Sequence, residues 1–307
     1  MHGGCSTVIS SAFNFAYQFA DMMAFLLLSA LGLIIILGVL NVVNLAHGEM
    51  IMIGAYVTSV LYRAGVPLPI CFLASFLALF LLGLLFEILI IRRFWENRIG
   101  ALVATWGVSL IISQGVLIVL GPSMAPVPLP GWTIGYGNFS YSGYRLLLFA
   151  ASLIAVMGLW LALYKTRWGV YTRATIQDST TASAVGINTT RIGMVAFALG
   201  SGLAGLTGAL YAPTTSLTPL MGTSFIAMAF ITVVVGGGAN PIVGALGSSA
   251  LLALIATPLT MVWGQFIGRA GLLLSALVII RFMPQGISGF VVHRQRLRQH
   301  RSSEVTA

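Results

Sequence analysis

Residues 68–91 read LPICFLASFLALFLLGLLFEILII. Their central part, 77–85, holds no polar side chain and does not alternate, whereas a membrane-spanning β-strand must alternate lipid-facing and lumen-facing positions. A helix is left as the way across, and 24 residues exceed the roughly 20 that a helix needs to cross a bilayer core. Comparable apolar runs recur along the chain, over 22–45, 50–62, 101–120, 146–164, 192–211, 225–235, 242–263 and 271–290. The reading is an all-α, polytopic helical membrane protein with about 8–10 transmembrane helices. The segments 50–62 and 225–235 are short, as expected of tilted, broken or re-entrant helices, which protein or a water-filled path must surround.

Composition agrees. Across 307 residues, 58% are hydrophobic and 7% charged, and the mean hydropathy is +1.01. The 35 glycines suit helices that approach closely in lipid. The net charge of +9 points to orientation signals and not to nucleic acid, because the basic residues cluster in connections. Arg92, Arg93 and Arg98 form one cluster, Lys165, Arg167, Arg173 and Arg191 another, and Arg294, Arg296, Arg298 and Arg301 a third. All three are expected on the cytoplasmic side. The stretch 121–144 carries no charge and is rich in Pro, Gly and aromatics, so it reads as an ordered external loop with Trp132 as an interfacial anchor. The expected organisation is one transmembrane domain over 1–292 and a basic cytoplasmic tail over 293–307. Residues 1–11 lack the basic start of a cleavable signal peptide, so the N-terminus is expected to stay attached.

Polar residues inside the apolar body need a reason. Residues 41–49, NVVNLAHGE, place Asn41, Asn44 and Gly48 on one stripe if the helix continues through them. Glu49 must lie near an interface, be paired or be protonated, since a charge at the bilayer centre costs about 2.5–3.5 kcal/mol; an interfacial position is the simplest. His47 and Glu49 admit three readings: a polar bracket at a helix break, the lining of a permeation path, or a proton relay. They do not make a metal site, because third and fourth ligands are lacking nearby. Thr105, Trp106, Ser109 and Gln114 add polar groups to the 101–120 run. Glu87 is five and six residues from Arg92 and Arg93, so a partner across helices is expected.

Small residues mark packing and breaks. Ser201 with Gly205, and Ala204 with Gly208, are pairs that allow close helix contact. Gly236, Gly237 and Gly238, followed by Asn240 and Pro241, signal a turn or half-helix end. Residues 165–191 form the one sizeable soluble stretch between spans, and 173–185 read as a short surface helix ended by Gly186, on which a partner docks. The chain's sole lysine, Lys165, lacks a GxxxxGK context, and no catalytic constellation is visible. Neither ATP hydrolysis nor another enzymatic activity is expected.

Taken in order, Asn44-Leu45-Ala46-His47-Gly48-Glu49 with Gly54-Ala55-Tyr56, then Ala182-Ser183 with Gly186-Ile187-Asn188, the Gly236–238 break, and Met283-Pro284-Gln285-Gly286 resemble the inner-membrane permeases of ABC importers for branched-chain amino acids and amides, the LivH type. Ala104-Thr105-Trp106-Gly107 and Pro219-Leu220-Met221-Gly222 look closer to the urea-transport branch. The resemblance implies an ABC importer permease fold in a bacterial inner membrane. It also implies a second permease, homologous or identical, two ATP-binding subunits and an extracytoplasmic substrate-binding protein, with no cofactor in this chain. Arg173, Asp178, Ala182, Ser183, Gly186, Ile187 and Asn188 would then form the element that meets the ATPase, although Gln177-Asp178 and several Thr replace the charge often carried there. Asn41, Asn44, His47, Glu49, Thr105 and Trp106 would lie near the path. A proton-coupled secondary carrier using Glu49 or Glu87 is the alternative.

Overall fold

The computed structural model describes residues 3–95, 97–129, 131–136, 139–238 and 240–290. The basic tail, with Arg294, Arg296, Arg298 and Arg301, lies outside the described residues. The elements run α1 (Gly3–Leu40), α2 (His47–Arg63), α3 (Leu68–Leu89), a 3-10 turn (Ile91–Phe94), α4 (Arg98–Leu120), β1 (Thr133–Tyr136), β2 (Phe139–Ser142), α5 (Gly143–Lys165), α6 (Arg167–Gln177), α7 (Ser179–Ala184), α8 (Thr189–Tyr211), α9 (Met221–Gly236) and α10 (Pro241–Phe282). Among the described residues, six stretches are long and apolar enough to cross a membrane, in α1, α3, α4, α5, α8 and α10, and α9 is a shorter apolar helix.

Local chemistry sets these boundaries. Asn97, Thr166, Asp178, Asn188 and Asn240 each accept backbone N–H groups at the start of α4, α6, α7, α8 and α10, the N-cap role for which short polar side chains are suited. Pro241 then occupies the first turn of α10, where its missing N–H costs nothing. At 42 residues, α10 would extend about 63 Å if straight, twice a bilayer core. It is broken at Gly264 (φ 86°, ψ 172°), a conformation open essentially to glycine alone. The break separates the two apolar runs 242–263 and 271–290.

The faces of α3 identify the solvent. Ile70, Leu73, Leu77, Leu81 and Leu85 are exposed, while Cys71, Ser75, Leu79, Gly83 and Glu87, each four residues apart, are buried. A water-soluble helix has its apolar stripe inside; here large apolar residues face out and small or polar ones face in, as lipid requires.

Packing divides the chain into two compact units. One gathers residues within Leu28–Gly131 and Ala151–Ala229. Its centre is α8, against which α1, α2 and α3 close at small residues. A methyl group on Gly200 would meet the Gly32 carbonyl at 2.6 Å, one on Gly205 would meet Leu79 and the Ser75 carbonyl at 2.6 and 2.7 Å, and one on Gly208 would strike the Ile51 carbonyl. Ser201 fills the same role opposite Gly83. Thr207 donates to the Leu28 carbonyl at 3.0 Å, and the Thr58 and Ser75 hydroxyls meet at 2.8 Å.

The other unit gathers residues within Met1–Leu27, Trp132–Ala150 and Phe230–Ala307. Part of the expected external loop is a hairpin, with Thr133 opposite Ser142 and Tyr136 opposite Phe139. It is pinned to the first half of α1: the Tyr17 hydroxyl donates to the Ser142 carbonyl at 3.0 Å, Arg145 and Asp21 form an ion pair at 2.5 Å, and the Phe13 and Tyr141 rings meet edge-on at 5.0 Å. These contacts explain why α1 begins well before residue 22. Asn14, Gln18 and Asp21 interrupt the hydropathy, yet they sit on a helix that carries the hairpin.

Candidate functional site

The segment 41–46 is not helical, so Asn41, Asn44 and Gly48 do not share a helical stripe as the spacing suggests. Asn41 has a left-handed backbone (φ 53°), which Asn tolerates better than most residues, and it is exposed. The chain then turns back. A methyl group on Gly193 would meet Leu40 and Trp95, whereas Nε2 of His47 lies 3.2 Å from the Ser29 carbonyl. From Leu40 back to Ser29 is about 16 Å along a helix, a distance that six residues of non-helical chain can span. The helix that follows therefore starts part-way along α1, as a re-entrant segment does.

Buried polar groups organise this restart. The Asn44 side chain is fully buried; its Oδ1 accepts from the Ala46 N–H at 3.0 Å and its Nδ2 faces the Met50 sulfur at 3.9 Å. His47 is also fully buried, with Nδ1 unpartnered. Thr105 of α4 accepts from the Leu45 N–H at 3.2 Å, and one helical turn on, the Ser109 hydroxyl is a hydrogen-bonding neighbour of the Glu49 carboxylate. Glu49 is 1% exposed; it is enclosed by protein, not placed at an open surface. Asn44, His47, Glu49 and Thr105 thus come together, joined by Ser109 and the Ser29 carbonyl. Backbone carbonyls carry no sequence signal, and Ser109 stands out as a polar residue of the 101–120 run without a reason to join it to Glu49. Trp106 is 55% exposed and turned away from this cluster.

Glu87 pairs with Arg92 at 3.3 Å, within its own connection and not across helices. The α-helix ends at Leu89 and the tighter 3-10 turn swings Arg92 back, so a spacing unsuited to a continuous helix becomes suitable.

The soluble stretch is two short helices, α6 and α7, and not one helix over 173–185. They part at Asp178, whose backbone is extended (φ −157°, ψ 106°). Its carboxylate accepts from the Thr180 and Thr181 N–H groups and the Thr181 hydroxyl, and these bonds hold its pKa below the ordinary 3.8. Gly186 follows α7, where the Ile187 N–H returns to the Ala182 carbonyl at 3.0 Å, a closing bond that satisfies a helix-end acceptor. Asn188 caps α8. Arg173 points back: its guanidinium donates to the Leu163 carbonyl and sits 4.7 Å over the Tyr164 ring. Ala182 is buried and anchors α7, while Ser183, Gly186 and Asn188 are exposed and Ile187 half-buried. The outer surface also presents Val170, Tyr171 and Val185, the last 72% exposed; their apolar character hides them beside the spans in sequence.

In the other unit, the Gly236–238 break meets the last described turn. Gly237 (φ 75°) closes on Gly286, where an added methyl would lie 3.0 Å from its Cα, and Gly236 closes in the same way on Gly244 at 2.8 Å from its carbonyl oxygen. Met283-Pro284-Gln285-Gly286 is therefore the partner of the triple glycine. Gly238 has open space about it.

A family model described as branched-chain amino acid transport system / permease component matches residues 15–283, from the first half of α1 to the end of α10. The chain belongs to this permease family.

The permease is 28% identical to the high-affinity branched-chain amino acid transport system permease protein BraD of Pseudomonas aeruginosa, over 85% of this chain and 91% of that one. It is 28% identical to LivH of Escherichia coli, a high-affinity branched-chain amino acid transport system permease protein, over 85% and 90%. It is 26% identical to the autoinducer 2 import system permease protein LsrC of Salmonella paratyphi B, over 83% and 74%. No solved structure matches the permease. As a permease component it is a transport subunit and not an enzyme, in accord with the absence of a catalytic constellation from its sequence.

Proposed function

We propose that this permease is the membrane subunit of an ATP-driven ABC importer for branched-chain amino acids or for urea and short amides, working by alternating access. One observation carries the reading: a helix restarts inside the membrane body at a buried cluster of Asn44, His47, Glu49 and Thr105. In lipid, polar groups and irregular backbone of this kind are tolerated where protein or a solute path surrounds them. The names of BraD and LivH favour a branched-chain amino acid; the 104–107 and 219–222 motifs favour urea or an amide.

The same proposal supplies the assembly. The permease pairs with a second permease, homologous or identical, in a bacterial inner membrane, receives solute from an external binding protein, and is driven by two ATP-binding subunits. Basic residues in 92–98 and 165–191 support a cytoplasmic side for those connections, and the basic residues of 293–307 support the same side for the tail. The exposed face of α6 and α7, with Ser183, Val185, Gly186 and Asn188, meets the ATPase. Asp178 and Ala182 hold that face in shape, and Arg173 ties it to α5.

The test is uptake of labelled leucine and urea by vesicles containing the reconstituted complex. Uptake of one of them should require ATP hydrolysis and fail when Ser183 and Val185 are both changed to Glu. Uptake driven by a proton gradient without the ATPase would overturn the proposal.

A further inference from the structure

Besides Nδ1 of His47 in its first residue, α2 carries three buried oxygens with no hydrogen-bond partner: Oε2 of Glu49, the Tyr56 hydroxyl and the Ser59 hydroxyl. Their residues are 1%, 3% and 0% exposed. With 3.6 residues per turn, Tyr56 lies about 20° round the helix from Glu49 and Ser59 about 60° beyond it, so all three share an arc of about 80°. Met52 falls in the same arc. Arg63, at the far end of α2, continues it and donates to the Ala125 carbonyl at 2.9 Å.

The other side of α2, which begins with the His47 ring, holds no unpartnered oxygen. Gly54 closes on Gly205, Ile51 and Ala55 close on Gly208, and Thr58 bonds Ser75. Unsatisfied oxygens are therefore confined to one stripe, where leaving each without a partner costs about 1–3 kcal/mol. Three such oxygens along one line in a membrane helix need an occupant that supplies their hydrogen bonds. Glu49 and Ser59 are about 15 Å apart along the axis, longer than one small solute, so the line holds more than one binding position.

We propose that the Glu49–Tyr56–Ser59 stripe of α2 is the solute track of this permease. Its ligand class is a small molecule that presents N–H donors beside a carbonyl or carboxylate oxygen. Glu49 accepts from the ammonium or amide N–H groups, and the Tyr56 and Ser59 hydroxyls donate to the oxygen. The assignment rests on the permease reading above and adds Tyr56, Ser59 and Met52 to the residues that face solute.

The experiment uses the full-length chain in membrane vesicles, with Cys5→Ser and Cys71→Ser as background. Met52→Cys and Ser59→Cys test the stripe, and Ile51→Cys and Thr58→Cys test the engaged side. A charged, water-soluble methanethiosulfonate reagent should modify the stripe positions about tenfold faster or more than the packed ones, since enclosed structural thiols are inert. Saturating leucine or urea should slow the stripe reaction, and whichever protects identifies the source of the shared chemistry. Tyr56→Phe, which removes one oxygen and keeps the shape, should weaken that protection. Equal rates on both sides, or no reaction at 52 and 59 in protein that still elutes as a single folded species, overturns the track. ATP-dependent uptake with a silent stripe would sink this inference alone; a protected stripe with uptake independent of the ATPase would sink the ABC reading alone.

Discussion

Nε2 of His47 stands 3.2 Å from the carbonyl oxygen of Ser29, residues that the chain separates by the rest of α1 and the non-helical turn 41–46. A carbonyl oxygen only accepts, so Nε2 carries the hydrogen. The imidazole rests on Gly32, where an added methyl would lie 2.8 Å from Cε1. This contact fixes the level at which α2 restarts.

His47→Leu removes the buried bond and is expected to cost about 1–3 kcal/mol. The check is thermal unfolding of the purified permease in detergent, where the variant should melt below the parent.

Glycine substitutions should divide by what the added methyl meets. Gly208→Ala presses on the Ile51 carbonyl and the Ala55 N–H and should cost about 1–3 kcal/mol through overpacking. Gly107→Ala and Gly115→Ala on α4 meet nothing within 4 Å and should be neutral or stabilising by up to about 1 kcal/mol, from helix propensity. Equal melting temperatures for all three would contradict the α2–α8 packing.

Removing Arg92 leaves the buried Glu87 carboxylate without its cation. Arg92→Gln should be more destabilising than the double change Glu87→Gln with Arg92→Gln, because the double variant has no unpaired buried charge. A double-mutant cycle followed by thermal unfolding measures the difference.

Asp178 gives the ledge a pH dependence. Hydrogen bonds from Thr181 and Thr180 lower its folded pKa below the unfolded value, so the cap's stabilisation is present above the unfolded pKa and is lost as pH falls through the folded one. The protection of the Thr180 and Thr181 amides, taken relative to their intrinsic exchange rates, should fall on acidification below about pH 4. Asp178→Asn keeps an acceptor without the titration and should flatten that response, whereas Asp178→Ala should leave both amides with low protection at every pH.

Residues 68–91 were enough to exclude a barrel and to set the helix as the unit, because hydrocarbon leaves few ways to satisfy a backbone. The pieces of α10 on either side of Gly264, as the runs 242–263 and 271–290, and the break at Gly236–238 were legible for the same local reasons. What hydropathy hid were helices whose polar residues have partners, such as the start of α1 beneath the hairpin. It also hid outward-facing apolar residues in the soluble stretch, such as Val185.

The sequence by itself determined that the chain is a bundle of membrane helices with a polar interruption at 41–49, since both follow from the local cost of placing each side chain in lipid. Only the tertiary structure decided what that interruption does to the chain: it turns back to the level of Ser29 and encloses Asn44, His47 and Glu49 against Thr105 and Ser109. It also decided that Glu87 takes Arg92 and that Gly237 takes Gly286. Such pairings depend on distances between segments remote in sequence or on how a helix ends, and neither residue spacing nor hydropathy encodes them.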